Sequence, residues 1–431
     1  MKLKLIAILA VLAAGIVAVV AVLSGVANTQ AEYDGYLAKA RTNAERQIPY
    51  VACQNYRKAL DMRCEDESIY KEYLHQAELL GGDFYFEALE GYVTNFPMSV
   101  EAYDLIVKFY YDAKNYEQVF TYALEAREKG IATEAVKNMY TECAHMTRIV
   151  QDSLDEAQSF LGDIALVKMG GLYGYISGNG LFTIAPQYQG ASAMMSGNAA
   201  VDDGTEWYMI NNKGYKVART SVPVDSMSFL SGGWIRVSLN GKYGYINTGM
   251  KVPESLPFDY ASIFKNGVAA VKKGDKWALT SNSGEMITEY IFDDVILDEY
   301  EACINGGVII AKQNGSYYFF DAQGQRISSA GFDNAVAFCG TQPAAVCLNG
   351  KWGFADTTGK IVIEPKYENA GSFCIGLAPV QENGTWGYIN TSGEYRIESQ
   401  YQACKSFTTN GIAAVKEGDY WMYIKLLAYY Y

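Results

Sequence analysis

The sequence is poor in the side chains that most catalytic and metal sites use. Only 2 of its 431 residues are histidine, and its 8 cysteines form no C-x-x-C pair. Structural zinc sites need Cys and His at short spacings, so a metal site is not predicted. No G-x-S-x-G elbow, P-loop, H-E-x-x-H or complete G-x-G-x-x-G motif occurs. We therefore predict no catalytic residues, no cofactor and no metal ligands.

Positive charge is also in short supply. The chain has 35 Lys and Arg against 48 Asp and Glu, a formal net charge of -13. Affinity for nucleic acid comes mainly from basic side chains that neutralise phosphates, so nucleic acid is not a predicted partner. Half of the residues are hydrophobic and 14% are aromatic, which excludes a mainly disordered chain. The length favours more than one domain.

The N-terminus carries an uncharged run long enough to cross a membrane. Lys2 and Lys4 precede residues 5–26, which match the ~20 residues that a helix needs to span the hydrocarbon core. We predict a transmembrane anchor within residues 1–31, with the N-terminus cytoplasmic and the rest of the chain outside the cell membrane. The alternative is a signal peptide cleaved after Ala31, which gives a secreted protein.

Residues 32–155 have a helical pattern. Apolar residues three and four apart recur in segments such as "EAYDLIVKFYYDA" and "YEQVFTYALEA". Gly81, Gly82, Pro97 and Gly130 separate the predicted helices. The period of 30 to 40 residues indicates a small helical solenoid.

This segment resembles tetratricopeptide repeats. In "NFPMSVEAYDLIVKFYYDAKNYEQVFTYALEA", Pro97 falls in the turn between repeats, Ala102 and Tyr103 open the next helix, and Tyr110 and Ala123 take packing positions. The resemblance is loose, because the Trp-x-x-Leu-Gly start is absent. It implies a concave surface that binds protein or peptide; a spacer between membrane and distal domain is the alternative.

Residues 160–431 repeat one unit eight times. An aromatic residue recurs with steps of 34, 36, 34, 40, 35, 34 and 35 residues, at Tyr173, Trp207, Tyr243, Trp277, Tyr317, Trp352, Trp386 and Trp421. Before it lies a short apolar strand and a turn that is usually Asn-Gly or Gly-Asp, a strong hairpin signal. After it come a turn closed by Gly, a third strand and an aromatic linker. We predict that the recurring aromatics pack between successive units, and that Trp352→Ala costs about 3–5 kcal/mol.

The glycine after the aromatic has a predicted role. Gly174, Gly244, Gly353 and Gly387 leave one face of the strand flat, so an adjacent sheet or a large side chain is expected to approach the backbone there.

The repeats resemble the WG (KWG) repeat family. The best copies are "GKWGFADTTGKIVIEPKYENAGSF" from Gly350 and "GTWGYINTSGEYRIESQYQACKSF" from Gly384, while other copies replace Trp by Tyr or lack the glycine. The family is found mostly in bacterial proteins, often exported ones, and its resemblance to β-propellers implies a propeller-like ring with no catalytic residues to carry over. We predict seven or eight short blades, with the terminal copy pairing with or capping the first unit; an open β array is the alternative. The fold class is thus an anchor, an α domain and an all-β domain.

Two residue groups remain to be placed. The longest repeat step contains Asp293, Asp294, Asp298, Glu299 and Glu301, a candidate loop for a cation or basic partner, with a solvated acidic loop as the alternative. The cysteines are expected to be buried free thiols, including Cys339 and Cys374, which each follow a repeated Phe; disulfides are the alternative in an exported protein.

Three functions follow as hypotheses. The first is a non-enzymatic, membrane-anchored binding or scaffold protein whose repeats contact protein, peptide or cell-wall glycan. The second is a cell-envelope hydrolase with two carboxylates on loops of the β domain, a geometry that one sequence does not reveal. The third is a surface assembly or chaperone factor that acts through the helical repeats.

Overall fold

The structure is a computed structural model that describes residues 29–427, and the chain divides into two compact units. The first unit ends at Ala144 and the second begins at His145. This boundary precedes the predicted one, since residues 147–154 form a strand of the second unit rather than part of a helix. The predicted anchor or signal segment lies almost entirely outside the described residues. Within residues 29–427, no helix has both the length and the apolar character needed to span a membrane.

The first unit is helical, as predicted. Its described part contains α1 (residues 29–45), α2 (Pro49–Met62), α3 (Glu67–Leu80), α4 (Gly82–Asn95), α5 (Val100–Asp112), α6 (Tyr116–Glu128) and α7 (Glu134–Cys143). Helix starts carry side-chain caps: Asp66 accepts a hydrogen bond from the Ser68 N–H at 2.9 Å, and Ser99 accepts one from the Ala102 N–H at 3.3 Å. The glycine break is confirmed at Gly81, which has a φ of 65° between α3 and α4.

The helices of this unit recur with a regular spacing. Helices α2, α4 and α6 begin at Pro49, Gly82 and Tyr116, that is, 33 and 34 residues apart. The predicted packing residues Tyr110 and Ala123 are both buried. The predicted helical repeat is therefore present, while its assignment to tetratricopeptide repeats stays a prediction.

The second unit is an eight-bladed β-propeller. Each blade is one antiparallel sheet, and the described residues of this unit form eight such sheets. Blade 1 contains β2 (Glu156–Ala157), β3 (Ile164–Met169), β4 (Leu172–Ser177) and β5 (Phe182–Tyr188). Blade 2 contains β6 (Gly190–Ala191), β7 (Asn198–Asp202), β8 (Trp207–Asn211) and β9 (Lys216–Arg219). Blade 3 contains β10 (Ser226–Met227), β11 (Ile235–Leu239) and β12 (Lys242–Ile246), and blade 4 contains β13 (Tyr260–Ala261), β14 (Val268–Lys273) and β15 (Lys276–Ser281).

The other half of the ring is built in the same way. Blade 5 contains β16 (Asp294–Val295), β17 (Ile304–Asn305), β18 (Val308–Gln313) and β19 (Ser316–Phe320). Blade 6 contains β20 (Asn334–Ala335), β21 (Ala344–Leu348), β22 (Lys351–Ala355) and β23 (Ile361–Tyr367). Blade 7 contains β24 (Asn369–Ala370), β25 (Leu377–Glu382), β26 (Thr385–Asn390) and β27 (Tyr395–Tyr401). Blade 8 contains β28 (Ala403–Cys404), β29 (Ile412–Glu417), β30 (Tyr420–Leu426) and, from the start of the unit, β1 (Thr147–Leu154).

Local turn chemistry sets the hairpin of each blade. In blade 6, Asn349 and Gly350 have φ values of 51° and 75°, so both take the left-handed conformation that a two-residue hairpin turn requires. The Asn-Gly hairpins are therefore confirmed. The repeats also supply an unpredicted short strand, because part of the aromatic linker forms the first strand of the next blade. The predicted third strand, in contrast, is absent after β12, β15 and β19.

The ring closes through a strand from outside the repeat ladder. Strand β1 pairs antiparallel with β30, with Thr147 opposite Leu426 and Leu154 opposite Trp421. The last blade is therefore completed by the segment that precedes the first blade, which removes an exposed sheet edge. The predicted ring is confirmed and has eight blades.

The core lies between neighbouring blades. In seven of the eight blades the residue two positions after the recurring aromatic is fully or almost fully buried, as Phe354 and Tyr423 are. In blade 3 that residue, Tyr245, is half-buried. Of the recurring aromatics, Trp277 and Tyr317 are buried, while six are half-buried: Tyr173, Trp207, Tyr243, Trp352, Trp386 and Trp421. All eight belong to, or pack against, core clusters. Trp352 is therefore less buried than the sequence predicted.

The glycine after the aromatic admits the outermost strand of its own blade. A Cβ atom added to Gly353 meets the Ile363 carbonyl oxygen at 2.5 Å and the Pro365 nitrogen at 2.6 Å. Strand β23 shifts register at this point, and the resulting bulge presses its backbone onto β22. The predicted close approach is confirmed. At Gly353 the neighbour is a strand of the same sheet rather than an adjacent sheet, and at Gly244 it is the large side chain of Leu256.

We expect Gly353→Ala to lower the free energy of unfolding by about 2–3 kcal/mol, because two backbone atoms must move to admit the methyl group. The matched control is Gly244→Ala in blade 3, where the new Cβ meets the Leu256 side chain at 2.9 Å. A side chain moves more easily than a backbone, so the expected loss there is under about 1 kcal/mol. Urea unfolding followed by tryptophan fluorescence measures both; equal losses would contradict this explanation.

The expectation for Cys339 and Cys374 is wrong, since they form a disulfide. Their Cα atoms are 5.4 Å apart, within the usual range for a disulfide. They are 35 residues apart, one repeat step, so equivalent positions of blades 6 and 7 lie side by side. The cysteines elsewhere in the described residues are free: Cys53, Cys64, Cys143, Cys303, Cys347 and Cys404. The expected buried free thiol is confirmed for Cys53, Cys143, Cys303 and Cys347, while Cys64 and Cys404 are free but half-buried.

Candidate functional site

The five acidic candidates of the long repeat step all contact other side chains or backbone groups. Asp293 pairs with Lys276, and Asp294 accepts a hydrogen bond from the Tyr317 hydroxyl at 2.6 Å. The Lys276 ammonium holds the pKa of the Asp293 carboxyl below its usual value. Asp293 therefore links blade 5 to blade 4, and Asp294 joins two strands of blade 5.

The other three acidic residues lie in one loop, residues 296–303, that contacts blades on the opposite side of the ring. Asp298 accepts from the Lys265 ammonium at 3.1 Å. Glu299 accepts from the Lys405 ammonium at 2.8 Å and from the Ser159 N–H at 3.2 Å. The contacts reach blades 4 and 8 and the start of blade 1, although the loop belongs to blade 5.

Glu301 and Ala302 extend the same loop to further blades. Glu301 pairs with the Arg236 guanidinium of blade 3 and accepts from the Tyr260 hydroxyl of blade 4 at 2.6 Å. Ala302 is fully buried in a cluster with Ala193, Phe229 and Ile263, which come from blades 2, 3 and 4. We call residues 296–303 the central loop. Its contacts on both sides of the ring make it a structural cross-link of the propeller.

The central loop does not gather its carboxylates around one point. Asp298, Glu299 and Glu301 each face a different basic side chain. Across residues 29–427, no group of three or more His, Cys, Asp or Glu side chains is arranged to hold a metal ion. The candidate ligand site is therefore elsewhere.

An aromatic cleft of about 300 Å³ opens between blades 3 and 4. We define the aromatic cleft by its lining residues: Trp234, Tyr245, Pro253, Leu256, Pro257, Phe258, Phe264, Thr280, Ser281, Asn282, Gly284 and Met286. Its size suits one or two amino-acid side chains rather than a large cofactor.

Three rings form one side of the aromatic cleft. The Tyr245 ring lies 4.5 Å from the Phe264 ring and 6.3 Å from the Phe258 ring, measured between centroids. The Tyr245 hydroxyl donates to the Ser262 carbonyl at 2.7 Å, and burial raises the pKa of this hydroxyl, so it stays protonated as a donor. The rings are therefore held in place before any ligand arrives.

Trp234 joins the two walls of the aromatic cleft. Its indole N–H donates to the Asn282 carbonyl at 3.0 Å, across the boundary between blades 3 and 4. Met286 lies at the rim and is 46% exposed. A flexible Met at an open rim adapts to side chains of different shape.

Few polar groups in the aromatic cleft are free to recognise a polar ligand. Thr280 is buried, and its hydroxyl donates to the Glu285 carbonyl at 3.1 Å. The charged residues on the two lining segments, residues 253–258 and 280–286, are Glu254 and Glu285, and both are exposed. The interior is thus apolar, and the two charged side chains on these segments are acidic.

The aromatic cleft lies where blade 3 lacks its outer strand. Blades 1, 2, 6 and 7 each have a fourth strand, but blade 3 ends at β12. Pro253 and Pro257 occupy the segment that elsewhere forms this strand, and proline supplies no N–H for a sheet ladder. The chain returns to the sheet only at Phe258, opposite Tyr243.

Sequence reasoning did not find this site. One signal of the missing strand was present in the sequence: blade 3 has two prolines in "KVPESLPF", and the equivalent segment of blade 6 is "KIVIEPKY". A second signal was Trp234, a large aromatic at a strand start where other repeats have smaller residues such as Asn198, Val268 or Leu377. Together they mark blade 3 as the irregular copy.

Comparison with known families supports the repeat assignment. Residues 243–277, 352–386 and 386–421 match the family model described as WG containing repeat. The predicted WG repeats are confirmed in these segments, and the class of protein is an eight-bladed β-propeller with WG repeats. No curated protein matches the chain.

Solved structures give distant similarities. A structure described as the eukaryotic initiation factor is 10% identical with a TM-score of 0.42, covering 64% of this chain and 86% of that one. Hsv2 of Kluyveromyces lactis is 10% identical with a TM-score of 0.35, covering 63% and 93%. The dihydro-heme d1 dehydrogenase NirN in complex with DHE is 11% identical with a TM-score of 0.40, covering 69% and 81%. At these scores the similarities carry no conclusion about function.

Proposed function

We propose that this protein is a non-enzymatic binding and scaffold protein, and that the aromatic cleft of its propeller holds an apolar side chain of a partner protein. The observation that carries the proposal is the preformed cleft between blades 3 and 4, with four aromatic and two proline side chains in its lining. Concave, largely apolar sites with a few polar groups are typical ligand sites.

A protein segment suits the aromatic cleft better than a glycan does. Sugars carry many hydroxyl groups and need several polar side chains to pair with them. Of the three polar side chains in the lining, Thr280 and Ser281 already have partners, which leaves Asn282. Aromatic residues and Met, in contrast, are enriched where proteins bind one another. The ligand class is therefore a polypeptide with an apolar side chain.

The remaining parts of the chain extend this proposal. The N-terminal run of residues 5–26 anchors the protein in the cell membrane, with both described units outside. The helical unit acts as a tetratricopeptide-like solenoid, since its helices recur 33 and 34 residues apart. Its surface serves as a second contact area for protein partners.

We expect Trp234→Ala to weaken partner binding at least about tenfold, because the change removes the ring that bridges the two walls of the cleft. The partner is identified by crosslinking in intact cells and is then purified. Its affinity for the full chain is measured with the native protein and with the variant. Tyr215→Ala is the matched control: it removes an aromatic side chain that is 67% exposed on blade 2 and outside the cleft. Equal affinity of the Trp234 variant and the native chain would contradict the proposal.

A further inference from the structure

We propose that the gap in blade 3 is a strand-addition site: an extended segment of the partner pairs with the backbone of Tyr245 and places an apolar side chain in the aromatic cleft. This inference rests on the proposed function and specifies its ligand. The partner segment then takes the place of the missing fourth strand. Peptide binding to an open sheet edge obtains affinity from main-chain hydrogen bonds and specificity from pockets for alternate side chains.

The backbone groups of Tyr245 face the open edge of β12. Tyr243, two residues earlier, uses both of its backbone groups on that edge: its N–H donates to the Phe258 carbonyl at 2.8 Å, and its carbonyl accepts from the Phe258 N–H at 3.1 Å. In an antiparallel strand, residues two apart direct their backbone groups to the same side. Tyr245 therefore directs its N–H and carbonyl outward as well.

The inner neighbour of Tyr245 confirms this direction. Arg236 of β11 lies directly opposite Tyr245. Its N–H donates to the Ser228 hydroxyl at 3.0 Å, and its carbonyl accepts from the Ser228 N–H at 2.9 Å. The backbone of Arg236 is thus paired with β10. Among residues 29–427, the Tyr245 N–H and carbonyl have no hydrogen-bond partner.

In each of the seven remaining blades, the backbone of the equivalent residue has a partner. In blades 1, 6 and 7 the partner is an isoleucine of the fourth strand: Ile184, Ile363 and Ile397. In blade 2 it is Ala218 of β9, and in blade 8 it is Gln151 of β1. Five blades therefore complete the position with a strand.

Blades 4 and 5 also have no outer strand, beyond β15 and β19 respectively, but satisfy the same groups differently. The Leu279 N–H donates to the Thr288 hydroxyl at 2.9 Å, and the Leu279 carbonyl accepts from the Ile287 N–H at 2.8 Å. In blade 5, the Phe319 N–H donates to the Ser328 hydroxyl at 3.0 Å. Blade 3 has no such hydroxyl, so the unpaired position at Tyr245 coincides with the aromatic cleft.

The rim of the cleft adds a charge preference. Glu254 and Glu285, the charged residues on the lining segments, are both acidic, and the whole chain has a net charge of -13. Opposite charges across an interface speed encounter and favour the correct partner. The segment we infer is therefore extended, with an aliphatic side chain for the cleft and a Lys or Arg close to it.

The test uses fluorescein-labelled heptapeptides of the form Lys-Thr-Xaa-Xaa-Xaa-Thr-Lys, with Val, Leu or Ile at Xaa. Their affinity for the full 431-residue chain is measured by fluorescence anisotropy, and the tightest peptide is then remade with a single N-methyl group at each position in turn. We expect one N-methyl position to weaken binding at least about tenfold, because it removes the N–H that donates to the Tyr245 carbonyl. Its immediate neighbours, which face the other way, should tolerate the change.

A matched variant of the protein is designed to form the missing fourth strand of blade 3 and so to occupy the proposed binding site. Residues 252–257 are replaced by the equivalent residues of blade 6, which form a fourth strand there: Val252→Ile, Pro253→Val, Glu254→Ile, Ser255→Glu, Leu256→Pro and Pro257→Lys. The replacement keeps the length and is expected to abolish peptide binding without lowering the melting temperature. A second control replaces both peptide lysines by glutamine, which should weaken binding several-fold.

The outcomes separate the inference from the proposed function. If Trp234→Ala weakens peptide binding but no N-methyl group does, strand addition is wrong and the cleft remains a side-chain site. If no peptide binds the native chain more tightly than the closed variant, both fail. Equal binding of the lysine and glutamine peptides would contradict the charge preference.

Discussion

Phe354→Ala is expected to lower the free energy of unfolding of the propeller by about 3–5 kcal/mol, the usual range for removing a large buried aromatic. Phe354 is fully buried between blades 6 and 7, and its ring lies 4.6 Å from the Phe373 ring. Urea unfolding followed by tryptophan fluorescence measures the loss. All six tryptophans lie in the second unit, so this signal reports on the propeller rather than on the helices.

Two variants of the same blade calibrate this result. Trp352→Ala removes a half-buried ring and should cost about 1–3 kcal/mol, less than the sequence alone predicted. Val362→Ala changes a side chain that is 47% exposed and should cost under about 1 kcal/mol. If Trp352→Ala cost more than Phe354→Ala, the main inter-blade core would lie at the recurring aromatic instead.

Tyr423→Ala is expected to have a similarly large effect, about 3–5 kcal/mol, because it opens the contact between the last blade and the first. Tyr423 is fully buried in a cluster that contains Leu154, Val167 and Ala414, from β1, β3 and β29. Its hydroxyl also donates to the Gln158 carbonyl at the start of blade 1. The variant should lower the propeller's stability to urea, measured by the same fluorescence signal.

Two control substitutions accompany Tyr423→Ala, one at the same residue and one at another residue of β30. Tyr423→Phe keeps the ring and removes the hydroxyl, so the expected loss is about 1 kcal/mol. Tyr420→Ala removes a ring that is 52% exposed on β30 and should change stability by less than about 0.5 kcal/mol. If Tyr423→Ala behaved like Tyr420→Ala, the ring closure described here would not contribute to stability.

The repeated part of the fold could be predicted because each repeat carries local signals. Asn349 and Gly350 specify a hairpin turn by their backbone preferences, and the strands on both sides follow from their apolar residues. The same holds for the helices, whose breaks at Gly81 and Gly130 are visible in the sequence. These signals act over a few residues, so reading the sequence recovers them.

The closing strand could not be predicted in the same way. Residues 147–154 lie outside the repeat period and directly after the last helix, and their partner β30 begins at Tyr420. The disulfide between Cys339 and Cys374 poses the same problem, because their contact depends on how neighbouring blades pack. Contacts between residues distant in sequence are set by the assembled ring rather than by local preference.

The candidate site was hidden by the regularity of the repeats. Tyr245 and Phe258 are 13 residues apart, as are Phe354 and Tyr367, so blade 3 does not disturb the repeat ladder. What differs is chemistry: Pro253 and Pro257 remove N–H donors from a segment of unchanged length. The sequence pointed to the acidic loop as the candidate ligand site, because this loop makes its repeat the longest. In the structure, Glu299 and Glu301 of this loop form ion pairs that cross-link the ring.

The most direct test of this account is amide hydrogen exchange at Tyr245 in the full chain without ligand. Phe354 and Tyr388 hold the equivalent position in blades 6 and 7, where a fourth strand covers them. Because an unpaired amide exchanges without any opening of the sheet, Tyr245 is expected to exchange at least about 100-fold faster than either residue. Slow exchange at Tyr245, equal to that of Phe354 and Tyr388, would show that blade 3 has no open edge and would contradict the account.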